Sequence, residues 1–161
     1  MEIVLGIGDY AVSNQEADVI KTYALGSCVA ITLYSPLRKV LAMAHIALPT
    51  STVDPHKSKA SPAHFADTAI PMLFDKMYFE YGCLKEELVI HLIGGSKSTW
   101  ETDIFNVGER NILAIKKILT EMGLNWTAKE TGGSFGRTVE IDVATGTPKV
   151  NRYPIDLAAK S

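Results

Sequence analysis

Residues 29–47 restrict the fold more than any other stretch of the chain. Val29, Ile31 and Leu33 alternate with Ala30, Thr32 and Tyr34, the period-two pattern of a half-buried strand, and Ser35-Pro36 ends it. Residues 39–47 (KVLAMAHIA) supply an apolar neighbour, and the Pro-Leu-Arg link is short enough for a hairpin. Residues equidistant from a hairpin turn face one another. Cys28 lies eight residues before Pro36 and His45 nine after it, so the pairing brings His45 back towards the level of Cys28.

That juxtaposition carries chemistry. Gly26-Ser27-Cys28 mounts a thiol on a tight turn that leads into a strand. The thiolate is the attacking species, and a neighbouring imidazole is the usual means of producing it near neutral pH. The pair suggests acyl transfer on an amide, ester or thioester. Thr22, six residues before the cysteine, is a candidate acceptor for the second imidazole proton, the role that fixes the tautomer in catalytic triads. Each residue also has an ordinary reading. A cysteine is commonly a buried apolar residue, a histidine in an apolar strand a hydrogen-bonded core group, and a threonine a good strand former.

Elsewhere the chain reads as short strands around two helices. Residues 2–7 (EIVLGI) form a strand closed by Gly8-Asp9, and residues 18–23 a second. Residues 49–62, rich in Pro, Ser and Thr, read as a surface loop. Ser61-Pro62 has the form of an N-cap with proline at the first helical position, opening a helix to about Tyr81. Pro71 within it predicts a kink or a later start. Residues 87–93 (ELVIHLI) are an interior strand stopped by Gly94-Gly95. After a Ser/Thr-rich loop, residues 106–122 form a second helix capped by Gly123. Residues 124–131, 137–143 and 148–153 complete the strands, with a turn at Ala144-Thr145-Gly146. Two helices cannot cover both faces of a doubly wound sheet, so a layered α/β sandwich fits better.

At 161 residues the chain is expected to form one domain over 1–161, with a flexible tail from about residue 154. A net charge of -2 and no basic tract argue against nucleic acid or an anionic membrane as partner. The apolar stretches are strand-sized, too short to span a bilayer, and MEIVLGIGDY lacks the features of a signal peptide. Two cysteines, Cys28 and Cys83, are too few for a disulfide scaffold, so a reducing cytoplasm of bacterial type is the expected compartment. Cys83 reads as a structural or surface thiol. His56, His64 and His91 lack metal-ligand spacing, and no metal or organic cofactor is expected. Gly6-Ile7-Gly8-Asp9-Tyr10-Ala11 matches a dinucleotide fingerprint weakly, because residues 10–18 lack the apolar face of the required helix. A tight turn is the better use of those glycines. Gly94-Gly95-Ser96 and Thr131-Gly132-Gly133-Ser134 are turns after strands that suit a narrow substrate groove, or an ordinary loop.

Five motifs occur in order: residues 22–29 (TYALGSCV), 42–45 (AMAH), 65–69 (FADTA), 106–111 (NVGERN) and 131–137 (TGGSFGR). Together they resemble the chemoreceptor glutamine deamidase family, CheD, from about residue 3 to residue 150. The resemblance implies a chemotaxis protein that converts glutamine side chains of methyl-accepting receptors to glutamate. It implies a three-layer α/β sandwich with mixed, largely antiparallel sheets, like toxin deamidases of the cytotoxic necrotizing factor type. The family's Cys-His-Thr set maps onto Cys28, His45 and Thr22, with backbone N–H groups at the Gly26-Ser27-Cys28 turn as oxyanion donors. Chemoreceptor cytoplasmic domains are the implied substrate, and a CheC-type phosphatase is a partner of some members. The competing reading is a binding module that regulates such a phosphatase, with the thiol site as its docking groove. Capture of the thioester by an amine, a transglutaminase-like activity, is a third. Two departures stand out: Ala24 occupies a place where the family often has glycine, and the loop at 49–64 is longer and more polar than usual.

Overall fold

Nine strands and three α-helices alternate irregularly along the chain in the computed structural model, which describes residues 1–97 and 105–154. They are β1 (Glu2–Leu5), β2 (Tyr10–Ser13), β3 (Val19–Leu25), β4 (Val29–Ser35), β5 (Val40–Ile46), α1 (Pro55–Ala60), α2 (Ala66–Phe79), β6 (Val89–Gly94), α3 (Val107–Glu121), β7 (Thr127–Thr131), β8 (Phe135–Asp142) and β9 (Lys149–Pro154). One sheet has the order β2-β5-β4-β6-β7, the other β1-β3-β8-β9. The β1–β3 and β6–β7 pairs are parallel and the remaining pairs antiparallel. The Ser/Thr-rich loop falls largely on residues 98–104, and the expected tail follows Pro154; both lie outside the described residues.

The β4–β5 hairpin sits at the centre, and its burial corrects the half-buried reading. Every residue of both strands is buried. Val29, Ile31, Leu33, Val40, Ala42, Ala44 and Ile46 pack in one cluster with α2 and α3. Ala30, Tyr34, Leu41 and Met43 pack on the other side with Ile20, Leu25, Val139 and Ile141 of the second sheet. Helices, a five-stranded sheet and a four-stranded sheet thus form three layers, each interface closed by apolar side chains whose burial drives the stacking.

Local chemistry moved several boundaries. Ser61-Pro62 opens only a single 3₁₀ turn, Pro62–His64, and α2 begins at Ala66. Pro71 lies inside α2, so the later start did not exclude it. The expected loop contains α1, capped by the Asp54 carboxylate, which accepts from the Lys57 N–H at 3.1 Å, with Pro55 at its first position. Ser51 ties the same loop to α2 by donating its N–H and hydroxyl to Asp67 at 2.9 and 2.8 Å. At the end of α3, Gly123 and Leu124 donate back to Thr120 and Leu119, a Schellman closure.

Strand β3 contains the irregularity that builds the site. Thr22 and Leu25 are both fully buried, although residues three apart on a regular strand point to opposite faces. The β3–β8 register shifts between them, a bulge that leaves Tyr23 and Ala24 outside. Ala24 takes φ +56° to make it. The left-handed region costs an alanine about 1–2 kcal/mol, of which glycine's larger unfolded-state entropy returns part. Ala24→Gly is therefore expected to stabilise the protein by about 0.5–1 kcal/mol, raising the thermal midpoint by about 1–4 °C. Calorimetry of the two proteins checks this, and a lower midpoint for the glycine variant contradicts the strain.

Candidate functional site

His45 hangs from β5 into the space between the two sheets and is 2% exposed. Its backbone N–H donates to Asp9 and its carbonyl accepts from Gly8, so the Gly6–Asp9 segment is a turn buttressing the histidine strand. The chain then enters β2, a strand that the sequence did not reveal, rather than a helix. A dinucleotide pyrophosphate would need the helix N-terminus that is missing there.

Thr22 settles which imidazole nitrogen carries the proton. Its hydroxyl donates to the Leu5 carbonyl at 2.8 Å, and its oxygen lies 2.7 Å from His45 Nδ1. A hydroxyl has one hydrogen and a carbonyl can only accept. With that hydrogen committed to Leu5, Nδ1 must be the donor to Thr22. Nε2 is then the unprotonated nitrogen, and it is buried with no hydrogen-bond partner among the described residues. A buried ring held by one nitrogen with a free lone pair on the other is a general base in geometry.

Cys28 approaches from β4. The ladder pairs Ala30 with His45, so Cys28 stands two residues from the rung the hairpin count implied. The count took Pro36 as the turn centre. The closing pair is instead Ser35 with Val40, and Lys39 at φ +52° completes a four-residue turn. Cys28 keeps the same face as Ala30, packing beside the inter-sheet cluster, so thiol and imidazole are diagonal neighbours across the hairpin.

The turn bearing Cys28 is fixed through its carbonyls. Gly26 accepts from the Ser96 N–H and Cys28 from the Gly95 N–H, both at 2.9 Å. Ser27 accepts from Asn111 Nδ2 at 3.0 Å, and the same amide donates to Ala47 at 3.0 Å. Gly94 makes the close approach feasible: at φ +109°, a Cβ there would lie 2.4 Å from the Cys28 oxygen. The second Gly-Gly turn locks on from beyond, with Gly132 donating to Gly94 and Lys97 to Gly133. Arg137, 3% exposed, donates to the Ser96 hydroxyl and pairs with Glu130. Both Gly-Gly turns and α3 line one groove, at Gly95, Gly132, Gly133, Ile112 and Leu113. Because a trans peptide points N–H opposite to C=O, the N–H groups of Ser27 and Cys28 face away from Ser96 and Asn111. Among the described residues none of the Gly26, Ser27 and Cys28 N–H groups donates to a backbone acceptor.

Electrostatics favours the neutral forms. Burial lowers the His45 pKa from its ordinary value; Asp9 opposes that and His64 adds to it. Burial raises the Cys28 thiol. Burial thus opposes the charged form of each group. Cys83 is buried in the helix-side core. Burial also lowers His91, which is half-buried in the sheet. Among the described residues no group of three or more His, Cys, Asp or Glu side chains is placed to hold a metal ion, and no helix is long and apolar enough to cross a membrane.

The chain is thus a helix–sheet–sheet sandwich that sets a partly exposed, turn-mounted cysteine and a buried, threonine-anchored imidazole on one face of a hairpin. Its relatives give the family. Residues 47–152 match the family model described as CheD chemotactic sensory transduction. A probable chemoreceptor glutamine deamidase CheD of Syntrophotalea carbinolica is 43% identical over 152 residues, 93% of each chain. The chemoreceptor glutamine deamidase CheD of Thermotoga maritima is 40% identical over 146 residues, 91% of this chain and 88% of its own. A probable CheD of Pyrococcus abyssi is 38% identical, covering 94% of this chain and 91% of its own. The chain belongs to the CheD family.

Proposed function

We propose that this protein is a cytoplasmic, single-domain protein-glutamine deamidase that converts glutamines of chemoreceptor cytoplasmic domains to glutamate. The names of its relatives support the substrate class, and the layered sheets support a fold shared with the cytotoxic necrotizing factor deamidases. The observation that carries the chemistry is the Thr22–His45 pair, which leaves Nε2 as the base. Cys28 Sγ attacks the carboxamide carbon while His45 Nε2 takes the thiol proton. The developing oxyanion is met by N–H groups of the Gly26-Ser27-Cys28 turn, each worth about 2.7–4 kcal/mol where such donors have been removed. Collapse breaks the C–N bond, and the imidazolium returns its proton to the departing ammonia. A water deprotonated by His45 then cleaves the thioester, the thiol recovers the proton, and glutamate leaves. Water in and ammonia out balance the cycle.

We take the pair as neutral at rest, since burial opposes charge on both groups, and this sets the pH dependence. The base form of His45 is required, and burial lowers its pKa, so that form persists below the ordinary imidazole value of 6.5. Turnover is expected to stay level through neutral pH and to fall only on the acid side of that value, as Nε2 takes up a proton. Deamidation rates of a receptor fragment from about pH 5 to 8 check this. An acid limb above the ordinary value would signal a raised imidazole and contradict the neutral pair.

A further inference from the structure

We infer that Asn111 is a positioning residue that sets the spacing of thiol and imidazole, an inference resting on the reaction proposed above. Its amide nitrogen donates at 3.0 Å to two carbonyls just beyond the ends of neighbouring strands: Ser27, immediately before Cys28, and Ala47, two residues past His45. The β4–β5 ladder ends at Val29–Ile46, so the next rung would have joined Cys28 to Ala47. The chain turns away there, and the two hydrogens of one amide replace the missing rung.

The residue is fully buried, and its Oδ1 has no partner among the described residues. An apolar side chain of that size would avoid the cost of burying an unpaired oxygen, so the two donors are what the amide contributes. Helix α3 holds it rigidly. Gly108, three residues earlier on the same helix, packs so closely on Gly95-Ser96 that a Cβ would lie 2.3 Å from the Ser96 oxygen. Gly95 and Ser96 in turn hold the Cys28 and Gly26 carbonyls. One helix therefore grips the cysteine turn from both sides and ties it to the histidine strand. Reactions of this kind lose about a hundredfold when reacting groups shift by about an ångström.

The test compares Asn111→Ala and Asn111→Asp with Ile115→Val, a buried change one turn along α3 that touches none of these carbonyls. Asn111→Asp preserves size but removes both donors. Each is measured at a temperature where circular dichroism shows it folded. The expected result is that both Asn111 variants lose at least about tenfold in kcat with KM little changed, while Ile115→Val does not. A second arm needs no substrate: iodoacetamide alkylation of Cys28, followed on its peptide by mass spectrometry, with and without His45→Gln. In the wild type that substitution is expected to slow alkylation, because the imidazole takes the thiol proton as sulfur attacks, and in the Asn111→Ala background the slowing is expected to vanish. An unchanged slowing, or near-wild-type kcat in Asn111→Asp, overturns the inference. If His45→Gln has no effect even in the wild-type background, the proposed reaction itself fails. Should Asn111→Ala not fold, Asn111→Ser takes its place, and failure of both to fold overturns the inference in favour of a structural role.

Discussion

Cys28→Ala is expected to abolish glutamine deamidation, by at least about 10⁴-fold, while the protein stays folded. The side chain is partly exposed, and removing one sulfur at a strand start typically costs about 0.5–2 kcal/mol. The structure adds a stronger reason for an intact site. What holds the turn are the backbone carbonyls of Gly26, Ser27 and Cys28, bonded to Ser96, Asn111 and Gly95, and none of these bonds uses the thiol. The variant should therefore bind receptor and not turn it over. Binding by calorimetry and turnover by ammonia release, on the same preparation, separate the two. Wild-type turnover in the folded alanine variant would remove Cys28 from the chemistry.

Thr22→Val carries the second large effect. Valine keeps the β-branched shape but leaves the buried His45 Nδ1 proton without its acceptor and removes the hydroxyl's bond to the Leu5 carbonyl. The ring then has nothing to fix its tautomer, and turnover is expected to drop on the order of 10²–10⁴-fold, the usual range for losing a positioned base. The stranded Nδ1 proton and the lost Leu5 bond, the latter invisible in the sequence, bring a stability loss of about 1–3 kcal/mol. Thr22→Ser restores both bonds and should recover most of the rate. Kinetics and thermal unfolding of the two variants decide it; an undiminished rate in Thr22→Val would leave a Cys-His dyad with some other group holding the ring.

What the sequence could reveal was local and periodic. Alternation in residues 29–34 marked β4, although both of its faces proved buried, and the helix read over residues 106–122 is α3, whose Ile112, Ile115 and Leu119 are buried at helical spacing. β2 escaped because four residues at an edge are too few to show a period. The hairpin placed Cys28 and His45 together but missed the rung, since register depends on where the turn centres and Lys39 moved it off Pro36. The Asp54-Pro55 pair was a legible helix start, hidden within a stretch whose Ser, Thr and Pro content read as loop. The contacts of Asn111 and Ser96 join elements far apart in sequence, and the burial that opposes charge on Cys28 and His45 is a property of the packed sheets. No pattern along the chain encodes either.

Intact-mass analysis of a receptor cytoplasmic fragment, incubated with the protein in ordinary and in ¹⁸O-labelled water, tests the thioester chemistry most directly. Each glutamine converted is expected to add about one dalton in ordinary water and about three in labelled water, because the oxygen that displaces the thiol comes from solvent. Cys28→Ala should leave the fragment unchanged in both. A fragment whose mass does not change with the folded wild-type protein, or one that gains the same mass from Cys28→Ala, would contradict a cysteine-dependent deamidase.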